Sequence, residues 1–321
     1  MFAVYAQEPN ADSPLDSLVV GERPEPEVPD GWVRVHVKAA SLNMHDLWTL
    51  RGVGIKPDQF PMILGCDGAG ILDDGTEVVI HSVINAPGWQ GDDTLDPKRT
   101  LLTEKHQGTF ADQIVVPARN VVPKPAGLSF AEASVMGTAW LTAYRMLFVK
   151  SGLRPGQTML VQGASGGVST ALVQLGRAAG FRVWVTGRTE EKRALATSLG
   201  AHQTFESGAR LPERVDAVFE TVGKATWSHS VKSLKPGGII VVSGSTSGPD
   251  AGAELQRVFF LQLRVAGSTM GTRDELSDLL AYLDLTGVRP QIGAKLTFPE
   301  APKGFQAMLE GDTAGKIVFT R

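Results

Sequence analysis

The chain has 321 residues and a single cysteine, Cys66. One cysteine closes no intrachain disulfide and builds no multi-cysteine zinc site. Neither sign of charge is in excess, because 31 basic and 34 acidic residues leave a net charge of −3. Nucleic acid and anionic membranes therefore lack the basic surface that usually holds them. No apolar run approaches the roughly 20 residues that span a bilayer. Met1 to Asn10 has no basic start and no long apolar core, so it does not read as a signal peptide. Internal repeats and low-complexity tracts are absent, and Pro24 to Pro29 is only a short connector. The length suggests about two domains. Together these features point to a globular cytoplasmic protein.

The chain changes texture along its length. Residues 1 to about 120 are rich in strands and in Gly/Pro turns. Trp32-Val33-Arg34-Val35-His36-Val37 alternates like a half-buried strand, and Glu77-Val78-Val79-Ile80 follows the turn Asp73-Asp74-Gly75. Trp89 to Lys105 reads as a polar loop. From about 125 to 266, strands and helices alternate, as in a parallel sheet. The last part predicts a helix over 273–285 and a strand at Lys316-Ile317-Val318-Phe319.

The stretch 158–192 carries the most information. Met159-Leu160-Val161-Gln162 suits a buried strand. Gly163-Ala164-Ser165-Gly166-Gly167-Val168-Ser169 follows as a glycine-rich turn. Val168, Leu172, Leu175 and Ala179 then keep helical spacing, Gly180 ends the helix, and Arg182-Val183-Trp184-Val185-Thr186 is the next strand. Free N–H groups and a helix N-terminus converge at such a turn, which suits a dinucleotide pyrophosphate. The strict G-x-G-x-x-G pattern is not met, since its three positions hold Ala164, Gly166 and Ser169. Ala164, Ser165, Gly166, Gly167 and Val168 are the candidate phosphate cradle. At the end of the second strand an acid would bond the ribose of NAD, whereas a small residue with a cation admits the 2′-phosphate of NADP. Gly187 stands there, followed by Arg188 and, one turn on, Lys192. NADP is the expected cofactor.

Further landmarks extend over nearly the whole chain. They are Ala40-Ser41-Leu42-Asn43-Met44-His45-Asp46-Leu47, Pro61-Met62-Ile63-Leu64-Gly65-Cys66-Asp67-Gly68-Ala69-Gly70, Gly108-Thr109-Phe110-Ala111-Asp112 and Val121-Val122-Pro123-Lys124-Pro125. Phe219-Glu220-Thr221-Val222-Gly223, Lys235-Pro236-Gly237-Gly238 and Ala314-Gly315-Lys316-Ile317-Val318 follow the nucleotide turn. In this order the chain resembles the medium-chain dehydrogenase/reductase superfamily, in its zinc-independent quinone oxidoreductase-like branch. The resemblance implies an α/β protein: a GroES-like β-barrel catalytic domain from residues 1–124 and 267–321, and a Rossmann domain, 125–266, with a doubly wound parallel sheet. It also implies a homodimer, often formed through the edge strands of two Rossmann sheets.

The resemblance further implies site residues. Aligned on the landmarks, the zinc-ligand positions of the superfamily's alcohol dehydrogenases hold Asn43, Cys66 and Thr138, and a neighbouring acid is Asp67. Only one of those three side chains suits Zn²⁺. His45 and Asp67 joining Cys66 is the alternative, and would make the chain an alcohol dehydrogenase with an atypical metal. Without metal, hydride passes most readily from NADPH to a quinone or an α,β-unsaturated carbonyl. Asn43 would then bond a substrate oxygen or the cofactor ribose, Asp46 would orient a cofactor hydroxyl or a water, and Trp48 would wall the pocket. Val222, Ser243 and Gly244 end Rossmann strands where cofactor contacts gather. Ser268, Thr269 and Met270 lie where the family holds the carboxamide, and Lys316 aligns with a basic residue near the phosphates. A non-enzymatic NADPH-binding protein is the third reading.

Overall fold

The computed structural model describes residues 1–321. It divides into two units, Met1–Leu141 with Met270–Arg321, and Thr142–Thr269. Residues 125–141, which the sequence grouped with the alternating region, belong to the first unit.

In the first unit the alternating stretch at Trp32 becomes the long strand Trp32–Ser41. It pairs antiparallel with Asp67–Leu72 and with Gln113–Pro117. Lys316–Thr320 pairs antiparallel with its end, Val318 facing Ser41. The C-terminus thus closes a sheet begun near the N-terminus, with Val121–Pro123 and Glu77–Ile80 beyond one side and Ile292–Thr297 beyond the other. Register fixes the chemistry here. Ser41 lies opposite Asp67 on one neighbour and Val318 on the other. Asn43, two residues past Ser41, and Lys316, two before Val318, therefore come to the same end of the sheet. Below it, Phe110 packs edge-on against Phe319 at 5.0 Å, with Phe298 and Phe305 beside them. The loop expected from Trp89 to Lys105 contains a short 3₁₀ turn, Asp93–Leu95, and a two-residue strand, Thr100–Leu101.

In the second unit six parallel strands lie in the order Gln203–Glu206, Arg182–Gly187, Thr158–Gln162, Val215–Glu220, Leu234–Val242, Arg264–Gly267. Numbered along the chain this is 3-2-1-4-5-6, the doubly wound dinucleotide order. Thr158–Gln162 is buried throughout, which explains its unbroken apolar reading. The following helix, Gly167–Ala178, turns Leu172 and Leu175 into the core. Close contact with the sheet falls at Gly176, where a Cβ would stand 2.6 Å from Met159 Sδ. Ser169, at the fingerprint's third position, carries no such constraint. Gln203–Glu206 was not foreseen, because an edge strand with half-exposed polar residues lacks an apolar signature. No helix is long and apolar enough to cross a membrane.

Candidate active site

The nucleotide turn begins at Gly163, whose φ of +87° lies in the region open to glycine. The turn feeds the helix Gly167–Ala178, whose N-cap is Gly166 and which no side chain caps. A helix of twelve residues with uncapped N–H groups at its start suits an anionic group. A Cβ at Gly166 would meet nothing nearer than Ser169 Oγ at 3.9 Å, so the backbone is open to close approach. These features fit a dinucleotide pyrophosphate.

The strand ends gather the other expected cofactor residues. A Cβ on Gly163 would lie 3.6 Å from Val222 Cγ2, and one on Gly244 would lie 3.0 Å from the Thr221 carbonyl oxygen. Ser243 N–H donates to Glu220 O, and Ser268 N–H to Val242 O, each at 2.9 Å. Ala164, Ser165, Gly166, Gly167, Val168, Val222, Ser243, Gly244 and Ser268 thus sit at one end of the parallel sheet. Thr269 is exposed in the same unit, whereas Met270 opens the C-terminal part of the first, with φ of +50°.

Gly187 is tightly enclosed, so a side chain there would have to push its neighbours aside. A Cβ would stand 3.0 Å from both Ala164 Cβ and Arg193 Cγ. Arg193, which the sequence reading passed over, folds back so that Nη1 donates to Gly187 O at 2.9 Å and Nη2 pairs with Glu190 at 2.7 Å. Its signal was its place beside Lys192 in a run of cations. Arg188 is exposed. Lys192 lies in the first turn of helix Glu190–Ser198, with its N–H on the capping Thr189 hydroxyl.

Glu220 was also missed as a site residue. It is fully buried at a strand end and accepts from Val222 N–H at 2.8 Å, Gly223 N–H at 3.1 Å, Thr226 Oγ1 at 2.9 Å and Ser230 Oγ at 2.6 Å. It holds the turn at Val222 and Gly223, where φ is +90°. The signal was an acid closing an otherwise apolar strand.

In the first unit the expected catalytic residues form one buried cluster. Asn43 Oδ1 accepts from Lys316 Nζ at 2.6 Å, and its Nδ2 donates to Asp67 Oδ2 at 2.9 Å and to Ser41 O at 3.1 Å. An ammonium only donates and a carboxylate accepts, so these partners fix which way the amide faces. Both amide hydrogens are engaged. Asn43, expected to bond a substrate oxygen or the cofactor ribose, here bridges two charged neighbours through its amide. Lys316, expected near the cofactor phosphates, lies in the same cluster; it is 4% exposed, with Nζ donating also to Leu42 O at 2.7 Å.

Asp46, expected to orient a cofactor hydroxyl or a water, lies on the helix that follows Asn43. It is fully buried, and its two oxygens accept from Asn43 N–H and Gly65 N–H, each at 2.8 Å. It caps helix Met44–Leu50. Burial pushes its pKa up to about 7 despite those hydrogen bonds. Trp48 lies on the same helix and is 38% exposed. His45 has Nε2 buried without a partner, and burial lowers its pKa. Cys66 Sγ lies 3.4 Å from Thr138 Oγ1; burial, and then the charges of Asp46 and Asp67, push its thiol up.

Comparison with known proteins agrees with this architecture. Residues 29–126 match a family model described as alcohol dehydrogenase GroES-like domain, and 167–284 one described as zinc-binding dehydrogenase. An acryloyl-coenzyme A reductase from Metallosphaera sedula is 28% identical over 321 residues, 94% of this chain and 96% of the relative. A quinone oxidoreductase from Lama guanicoe is 25% identical over 304 residues, 89% of this chain and 88% of the relative. A crystal structure of an NAD-dependent alcohol dehydrogenase superposes with TM-score 0.92 at 32% identity, covering 100% of both chains. A crotonyl-CoA carboxylase/reductase in complex with NADP superposes with TM-score 0.91 at 24% identity, covering 100% of this chain and 94% of the other.

Proposed function

The chain belongs to the medium-chain dehydrogenase/reductase superfamily, and from that premise we propose that it is a metal-free, NADPH-dependent reductase of quinones or α,β-unsaturated carbonyls. The observation that carries the metal-free part is the Asn43–Lys316–Asp67 cluster. At the three positions that correspond to zinc ligands stand an amide, a thiol and a hydroxyl. The amide oxygen is 2.6 Å from an ammonium, and the thiol sulfur is 3.4 Å from the Thr138 hydroxyl. That set does not fit tetrahedral Zn²⁺, which takes thiolate, imidazole or carboxylate ligands. No group of three or more His, Cys, Asp or Glu side chains is placed to hold a metal. The alcohol dehydrogenase alternative draws on the zinc-binding description of the family model and on the alcohol dehydrogenase structure, and the donor set speaks against it. A related acryloyl-CoA reductase favours conjugated acceptors, including thioesters.

NADP is the cofactor. Gly163, Gly166 and the N-terminus of Gly167–Ala178 would hold its pyrophosphate, and Glu220 would keep the neighbouring turn in shape. When bound, NADPH supplies a hydride, and a conjugated acceptor takes it without a Lewis acid. Selection of NADP over NAD rests on Gly187, which puts no acid at the strand end, and on exposed Arg188. Arg188→Ala is expected to weaken NADPH binding by about 1.5–3 kcal/mol and leave NADH unchanged. Titration of both cofactors checks this; equal losses would remove Arg188 from the 2′-phosphate.

The cytoplasmic enzyme pairs with a second copy of itself through the edge strand Arg264–Gly267. Its Val265 is 51% exposed, and Leu255, Phe259 and Phe260 on the preceding helix are more than two-thirds exposed. An open strand edge beside such an apolar patch favours pairing. Phe260→Asp is expected to convert a dimer to a monomer in light scattering; a monomeric parent protein would contradict the pairing. The function itself is tested by following NADPH consumption against quinones, enones, enoyl thioesters and saturated aldehydes. Turnover confined to the saturated aldehydes would reject it.

A further inference from the structure

Lys316 presents a chemical puzzle. A lysine 4% exposed carries its charge into a region where burial disfavours ammonium. Its Nζ is met by Leu42 O at 2.7 Å, Asn43 Oδ1 at 2.6 Å and, at 3.6 Å, Asp67 Oδ2. Three oxygens around one positive charge make a small oxygen-lined cation site, filled by a side chain of the protein itself. Asp67 is equally enclosed. Its Oδ2 accepts from Ser41 Oγ at 2.7 Å and from Asn43 Nδ2 at 2.9 Å, while its Oδ1 is buried with no partner. Lys316 is the nearby cation able to offset that carboxylate.

Strand register explains how this lysine comes to do so. Lys316 starts the strand whose Val318 faces Ser41, and Ser41 faces Asp67 across the next pair. Asn43 bridges the two charges through opposite ends of one amide, taking a hydrogen bond from the cation and giving one to the anion.

We infer that Lys316 is a positioning residue, a resident cation that orients the Asn43 amide and neutralises Asp67 at the place where metal-dependent relatives bind zinc. The role in turnover rests on the reductase reading above; the role as resident cation does not. Removing the ammonium frees the amide to rotate and leaves Asp67 buried and uncompensated. Removing both charges relieves that penalty, because a buried ion pair costs most when only one member is lost.

The test is a double-mutant cycle with chemical rescue, read first by melting temperature. Lys316→Met is expected to lower Tm, and Asp67→Asn added to it is expected to raise Tm again rather than lower it further. In Lys316→Ala, propylammonium replaces the missing stem and charge. It is expected to raise Tm and to recover at least half of a tenfold or greater loss in kcat, with KM for NADPH little changed. The equal-sized neutral 1-propanol is expected to do neither. An additive cycle, no rescue by propylammonium, or equal rescue by 1-propanol overturns the inference. If Lys316→Ala does not fold, refolding yield in the presence of each additive replaces Tm as the rescue readout. The Tm results stand even if no acceptor is turned over, so failure of the reductase reading and failure of this inference remain separate.

Discussion

Asn43→Ala is expected to lower kcat/KM for the preferred acceptor by up to roughly a hundredfold, the cost of misplacing groups around the reacting centre, and to lower stability at the same time. The two effects share one cause. Asn43 Oδ1 takes the hydrogen bond from Lys316, and Asn43 Nδ2 gives one to Asp67. Alanine leaves a buried ammonium with one close oxygen and a buried carboxylate with one fewer donor. An unmet buried group costs about 1–3 kcal/mol, and more when it is charged. The N-cap backbone stays in place, since Asp46 bonds the Asn43 N–H rather than its side chain. NADPH affinity should therefore change little. Calorimetric melting, cofactor titration and steady-state kinetics on one preparation separate these terms. Unchanged stability with lost NADPH binding would make Asn43 a direct cofactor ligand and contradict the geometry.

Glu220→Ala is expected to have the largest effect on stability, roughly 3–5 kcal/mol, because several buried donors lose their acceptor at about 1–3 kcal/mol each. Val222 and Gly223 N–H, Thr226 Oγ1 and Ser230 Oγ all point at this carboxylate. The turn at Val222 abuts the nucleotide turn at Gly163, so NADPH binding should weaken along with stability. Glu220→Gln keeps one acceptor oxygen and should lose less of both. Urea unfolding with and without NADPH measures each quantity; full stability in Glu220→Ala would show that water or relaxed backbone satisfies those donors equally well.

The parallel sheet was legible because its strands are buried on both faces and read as apolar runs between glycine and helix signals. Met159-Leu160-Val161 and Val215 to Phe219 announce themselves in this way. The half-exposed edge strand Gln203–Glu206 did not, having no apolar face to show. The nucleotide turn was legible from glycines set between a buried strand and a helix, since φ and close approach constrain residue type directly. Arg193 was not, because which of several neighbouring cations folds back onto Gly187 depends on packing. The polar cluster shows the same limit. Alignment of landmarks brought Asn43, Asp46, Asp67 and Lys316 into view, but their roles depend on a strand pairing between the two ends of the chain. That pairing places Lys316 at Asn43, where oxygens of the first unit surround its ammonium. Hydrogen-bond partners, which decide whether a polar residue serves the fold or a ligand, leave no trace in residue type.

The central claim is reduction of a conjugated acceptor by NADPH without metal. Its most direct test is turnover of an enone by NADPH before and after exhaustive chelation, with metal content measured on the same samples. No stoichiometric zinc and the same rate in both are expected. One zinc per chain, removed together with activity and lost in Cys66→Ala, would contradict it and restore the alcohol dehydrogenase reading.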